Sequence, residues 1–203
     1  MNTEKTVTEF NKGKQLLEGG NIEEAIIAFR RAVQLTTNDF WAYHYLGESL
    51  IKQGQFEEAV TVLRQAIELN PDFSWSHHHL GDALSQQQKW EEAIIAFRQA
   101  IKLNPKHFGT YVGLGKSLAQ LSQFEEAISS YQQAIKLKPD TDWIYLGLAA
   151  ILEQRTQSDL ANAIAVYNHV RELNPNYLPV YHKLIQMLPK QAEVLLQFAK
   201  SLV

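Results

Sequence analysis

The sequence predicts an all-α fold, a solenoid of antiparallel helix pairs, and three observations carry that prediction. Small residues recur at a fixed interval: Gly13, Gly47, Gly81 and Gly115 lie 34 residues apart, as do Ala25, Ala59, Ala93 and Ala127. Ala32, Ala66, Ala100 and Ala134, and the prolines Pro71, Pro105 and Pro139, keep the same step. Registers in phase at such a period mark stacked structural repeats. Within each period the apolar residues follow helical spacing, and between the apolar runs stand residues that stop helices.

The second unit shows how one repeat is built. Tyr43, Leu46, Gly47 and Leu50 fall at i, i+3, i+4 and i+7, one stripe of a first helix. Gln53-Gly54-Gln55 interrupts the pattern. Phe56, Ala59, Val60, Leu63, Ala66 and Ile67 then trace a second helix, which Asn70-Pro71 ends because proline cannot continue it. Connections this short force the two helices to run antiparallel. A glycine inside a helix costs roughly 1 kcal/mol relative to alanine. Its recurrence at Gly47, Gly81 and Gly115 predicts a close backbone approach, with Ala59, Ala93 and Ala127 as the small partners. One pair cannot bury both of its stripes, so each pair must stack on the next.

The ends depart from the pattern. Lys12 replaces leucine and Thr37 replaces proline in the first unit, as suits a capping end. In the fifth unit, Trp143, Leu146 and Gly147 are read as two residues early and Ala163, Tyr167 and Pro175 as two late. That implies an insertion of four residues around Glu153 to Ser158. A partial sixth unit begins at Leu178, with Ile185 at the glycine position, and is cut by Pro189. The expected organisation is one domain, 1–203, with repeats at about 6–39, 40–73, 74–107, 108–139 and 140–177, and a partial one at 178–203.

Composition narrows the function classes. Forty-five per cent hydrophobic and 20% charged residues suit a folded soluble chain. A net charge of -3 with no long single-sign block gives no footprint for nucleic acid or an anionic membrane. The absence of cysteine excludes disulfides, thiol catalysis and thiolate metal sites. MNTEKTVTEF has no apolar run of signal-peptide type, and no window is apolar enough to span a bilayer, so the cytoplasm is the expected location.

The runs Tyr43-x-x-Leu46-Gly47-x-x-Leu50…Ala59…Leu63…Ala66…Pro71 resemble the tetratricopeptide (TPR) repeat. So do Leu80-Gly81…Ala93…Phe97…Ala100…Pro105 and Leu114-Gly115…Ala127…Tyr131…Ala134…Pro139. The resemblance covers roughly residues 6 to 188 and is to arrays of the bacterial type. It implies right-handed superhelical packing and a concave groove lined by the first helices. Some members clamp acidic chaperone tails with basic residues and asparagine. The matching positions here, Phe10, Lys14, Tyr45, Trp75 and His79, offer only Lys14, so that mode is not expected. An asparagine ladder is absent as well.

Features that look like chemistry read better as structure. Glu23-Glu24, Glu57-Glu58, Glu91-Glu92 and Glu125-Glu126 each open a second helix, where negative charge complements the helix dipole. Gly113-Leu114-Gly115-Lys116-Ser117 resembles the end of a phosphate-binding loop, but Thr110 stands where the motif needs glycine and the segment is helix interior. In His77-His78-His79, consecutive helical residues diverge by about 100° and do not converge on one ion. His77 takes the core position of Tyr43 and Tyr111, and His78 faces the groove. No catalytic residue, cofactor or metal site is assigned.

A second stripe on the first helices is the expected partner-binding surface. It comprises Trp41, His44, Glu48 and Lys52, then Trp75, His78, Asp82 and Gln86. Gly109, Val112, Lys116 and Gln120 continue it, followed by Ile144, Leu148, Ile151 and Leu152. Exposed aromatics in register are enriched where partners dock. The acidic and aromatic character suits a peptide with basic and hydrophobic residues.

The expected function is therefore a protein–protein interaction scaffold for a peptide or protein partner, not an enzyme and not a binder of nucleic acid or membrane. The alternative is a regulatory or substrate-positioning helical segment of a larger bacterial enzyme such as a transferase. The last helix, Lys190 to Val203, is apolar around most of its circumference, with Val194, Phe198 and Leu202 prominent. It is expected to meet a second copy of the chain or a missing downstream domain.

Overall fold

The computed structural model describes residues 2–155, 160–187 and 200, and among them every regular element is an α-helix. The chain divides into two compact units, Met1–Pro105 and Lys106–Val203. The first unit holds three helix pairs: α1 (Asn2–Glu18) with α2 (Ile22–Leu35), α3 (Phe40–Gln53) with α4 (Phe56–Leu69), and α5 (Ser74–Gln86) with α6 (Trp90–Leu103). The second holds α7 (Phe108–Gln120) with α8 (Phe124–Leu137), α9 (Asp142–Arg155) with α10 (Leu160–Leu173), and α11 (Leu178–Met187). Inside each unit every second helix also packs on the next first helix, so the pairs stack consecutively as the repeat spacing requires. No described helix is long and apolar enough to cross a membrane.

The core is built from the small and bulky positions in phase. Ala25, Ala59 and Ala93 in the first unit and Ala127 in the second are fully buried, as are Phe29, Leu63 and Phe97. The recurrent glycines do something different from what the sequence suggested. A Cβ on Gly47 would lie 2.5 Å from Leu63 Cγ, and one on Gly81 would lie 2.6 Å from Phe97 Cε1. The nearest neighbour is thus the bulky side chain of the paired helix rather than its backbone; at Gly115 a carbonyl, that of Ala127 at 3.2 Å, comes close as well. Glycine here makes a slot for a ring or a leucine.

The fifth unit needs a corrected register. Ala42, Ser76, Thr110 and Ile144 lie 34 apart and are all buried, and Leu50, Leu84, Leu118 and Leu152 continue in the same phase. Ala149, not Gly147, therefore takes the glycine position, and it packs in a cluster with Tyr167, Val180 and Tyr181. The first helix is not early; the insertion is two residues rather than four, and it falls between Leu152 and Ala163. Gly147 has another task. It faces the Tyr131 ring of the preceding pair, whose hydroxyl oxygen would sit 2.5 Å from a Cβ there. In the first unit the matching position is Tyr45, stacked 5.7 Å from Phe29. Burial pushes the pKa of the Tyr131 hydroxyl up to about 12.

Turns recur in phase too. Gly20 and Gly54 adopt φ +81°, and the equivalent Gln88 and Ser122 adopt φ 60° and 57°. A side chain in this left-handed conformation costs roughly 1–2 kcal/mol, partly offset by the lower entropy of a non-glycine unfolded chain. Gln88→Gly is expected to raise stability by up to about 1 kcal/mol, read as a later denaturant midpoint. An earlier midpoint would contradict this account of the turn.

Charge pairs link successive second helices. Arg30 meets Glu58 at 2.7 Å and Arg64 meets Glu92 at 2.8 Å, so one glutamate of each pair engages the previous repeat besides complementing its own dipole. Both pairs are about half exposed and contribute little to stability.

Candidate partner-binding face

In the first unit the predicted stripe resolves into an exposed rim over a buried row. Asp39 caps α3 by accepting from the Trp41 amide at 3.0 Å, which fixes where the indole leaves the helix. Trp41 is 40% exposed and rests on Phe40 at 4.5 Å and on Phe73, from the next connection, at 4.8 Å. Trp75, one repeat on, is 39% exposed and packs against His78 at 5.7 Å and His79 at 6.0 Å. Trp41 thus reaches the connection to the next pair, whereas the rings against Trp75 belong to its own helix, and both indoles stay partly open to water. Glu48 and Asp82 are half-buried, Lys52 and Gln86 exposed. Lys52 pairs with Glu48 at 2.9 Å, and Asp82 with His78 at 3.3 Å.

Several expected lining residues are instead core. His44 is only 4% exposed, ringed by Phe73, Tyr45 and His79, and its Nδ1 lies 3.1 Å from the buried Ser76 hydroxyl. Burial lowers its pKa to about 4, so the ring is neutral at physiological pH. In the second unit Val112, Ile144, Leu148, Ile151 and Leu152 are buried as well, while Lys116 and Gln120 are exposed and Gly109 half-buried. They do not line an open groove: Val112 occupies the inward position that His44 holds, and Ile144, Leu148, Ile151 and Leu152 are out of phase with the Trp41 stripe. In the right register Trp143 follows Trp41, Trp75 and Gly109 at intervals of 34, and it is 46% exposed. The signal for Trp143 was present in its spacing from Trp41.

The remaining histidine of the triplet behaves as expected. His77 is buried and its Nε2 donates to the Pro71 carbonyl at 2.8 Å, the same reach-back that the Tyr181 hydroxyl makes to Pro175. Phe10 and Tyr45, at positions that clamp acidic tails elsewhere, pack edge to face 5.6 Å apart, and Lys14 lies 5.6 Å over the Tyr45 ring. Ser117 is buried inside α7 and donates to the Gly113 carbonyl, a helix-interior role rather than a phosphate contact. Val194, Phe198 and Leu202 lie outside the described residues.

A concavity of about 760 Å³ lies elsewhere in the first unit, against α4, α5 and α6, with Leu80, Leu84 and the 68%-exposed Ile95 among its walls. No stripe residue lines it.

Family models describe the same repeats. The TPR repeat matches residues 13–54, 47–88 and 115–155, and the tetratricopeptide repeat matches 74–107. No curated protein matches the chain. Among solved structures, MamA 41-end from Desulfovibrio magneticus RS-1 aligns with TM-score 0.79 at 22% identity, over 85% of this chain and 97% of that one. TTC0263, a thermophilic TPR protein of Thermus thermophilus, aligns with TM-score 0.67 at 22% identity, covering 90% and 98%. YrrB, described as a TPR protein with an unusual peptide-binding site, gives TM-score 0.72 at 16% identity, covering 86% and 89%. These likenesses are of fold, whereas the repeat models cover more than half of the sequence, and the chain belongs to the tetratricopeptide repeat family.

Proposed function

We propose that the chain is an interaction scaffold that takes a peptide or protein segment along the face of α3 and α5, anchored by Trp41 and Trp75. The observation that carries this reading is the pair of indoles in register, each about two-fifths exposed and backed by packed rings. Large aromatic side chains with one face packed and one face wet lose little conformational freedom on binding, which is what anchors require. Glu48 and Asp82 beside them favour a segment carrying basic and hydrophobic residues. The peptide-binding site ascribed to YrrB, a relative in fold, supports the same use of a TPR surface.

The test is selection from a displayed peptide library, followed by affinity measurement with Trp41→Ala and Trp75→Ala. Each substitution is expected to weaken binding about 30-fold, the effect of a hot-spot anchor worth about 2 kcal/mol. The helical signal should stay near wild type, with a stability loss of about 1 kcal/mol from the ring contacts. Unchanged binding, or unfolding of either variant, would assign the indoles to seam packing alone.

A further inference from the structure

Beneath the indole rim, two adjacent first helices bring nitrogen and carboxylate donors together. His44 and Glu48 stand four residues apart on α3 and so share a face. His79 reaches the same point from α5, and one ligand atom from each of the three lies within 4.8 Å of the other two. The His44 and His79 ring centroids are 5.3 Å apart.

We propose that His44, Glu48 and His79 form a binding site for one divalent transition-metal ion of the zinc class. Ligands at about 2.0 Å in a tetrahedral zinc site stand about 3.3 Å from one another. The half-buried Glu48 and His79 can close the remaining distance by rotamer adjustment, while the buried His44 holds still. Two imidazoles and one carboxylate select zinc, nickel or cobalt over calcium or magnesium, which require oxygen donors. The Ser76 hydroxyl lies 3.1 Å from His44 Nδ1, which would leave Nε2 as the nitrogen for the ion, and metal-binding imidazoles are usually oriented by such a bond from the other nitrogen. Lys52, now 2.9 Å from Glu48, is nearly half exposed and can leave that carboxylate at little cost. Three protein ligands leave a fourth position for water or for a partner's side chain.

His78, His79 and Asp82 form a second cluster of the same size. It shares His79, so the two cannot fill together. All three of its members come from α5, two of them consecutive, and none of them is as buried as His44. The inter-helix cluster is therefore the site.

The experiment is calorimetric titration of the untagged full chain with Zn²⁺, with Co²⁺ absorbance as an independent readout of coordination. One ion per chain is expected. His79→Asn should weaken binding by about 100-fold and Glu48→Gln by at least about 10-fold, with Asp82→Asn within about threefold of wild type. His44→Ala is not relied on, because a buried ring is lost; Glu48 and His79 are half-buried and their variants are checked for unchanged helicity. Absence of binding, an affinity that survives His79→Asn, or a loss on Asp82→Asn with none on Glu48→Gln would each overturn the assignment. None of these results depends on whether Trp41 and Trp75 bind a peptide.

Discussion

Gly81→Leu is expected to destabilise the α5–α6 pair by about 3 kcal/mol or more. The first added carbon alone would stand 2.6, 2.7 and 2.9 Å from three carbons of the Phe97 ring. Phe97 is fully buried and flanked by His78, so the ring has nowhere to retreat without displacing α6. Overpacking by a few methylenes costs about 1–3 kcal/mol, and a whole leucine exceeds the better helix propensity, worth about 1 kcal/mol, by a wide margin. For a cooperative chain of this size that is a fall in melting temperature of about 10 °C. In a repeat array the loss is concentrated in the affected pair and its neighbours. Gly81→Ala sets the two effects in closer balance, with a net loss of up to about 2 kcal/mol. A double-mutant cycle with Phe97→Ala identifies the contact: removing the ring makes room for Leu at 81, so the double variant should be less destabilised than the two single losses added together. Strict additivity would show that something other than Phe97 requires the glycine.

The second large effect is on the pH dependence of stability, measured on chelated protein. The His44 pKa is lowered from 6.5 to about 4 in the folded chain because burial penalises the charged ring. Above pH 6.5 neither the folded nor the unfolded chain binds this proton, and His44 contributes no slope. Between 6.5 and about 4 the unfolded chain takes the proton while the folded chain does not, so stability falls as the pH falls. Below about 4 both forms are protonated and the contribution levels off, after a total loss of at most about 3 kcal/mol. His44→Val is the matched control, since Val112 already fills the equivalent inward position in the second unit. That variant will lose some stability at neutral pH because the Ser76 hydroxyl is left without its partner ring. Its stability should then change less between pH 6.5 and 4.5 than that of wild type; an identical slope would place the titration on other groups.

Gly81 and His44 mark the limit of what spacing along a helix determines. The spacing of Gly81 reveals that a side chain is forbidden there, and the structure agrees. Its contact could not be read, because a period says which positions are equivalent but not which atoms meet across a helix pair. The answer is Phe97, sixteen residues on, rather than the backbone near Ala93. Helical phase separates faces only coarsely, so spacing puts His44 on the same stripe as Trp41. The contact of His44 with Ser76 on the neighbouring first helix puts it in the interior. Trp41 and Trp75, on the same stripe, are partly exposed.

Among the described residues, helix pairing and order followed from sequence alone, because each depends on local spacing repeated many times over, so that single errors cancel. Register in the fifth unit did not. There the period is interrupted once, and Gly147, an apparent anchor, had been recruited to clear the Tyr131 ring of the preceding pair while Ala149 took the core position. The 34-residue step from Gly115 points to Ala149, whereas the local Leu146-Gly147 pair imitates the motif, and packing follows the step. Packing alone also brought His79 from α5 to His44 and Glu48 on α3. His79 lies 35 positions from His44 and 31 from Glu48, both out of phase with the 34-residue repeat, so no sequence signal joins them. Their meeting is set by the lateral offset of stacked helices, which exists only in three dimensions.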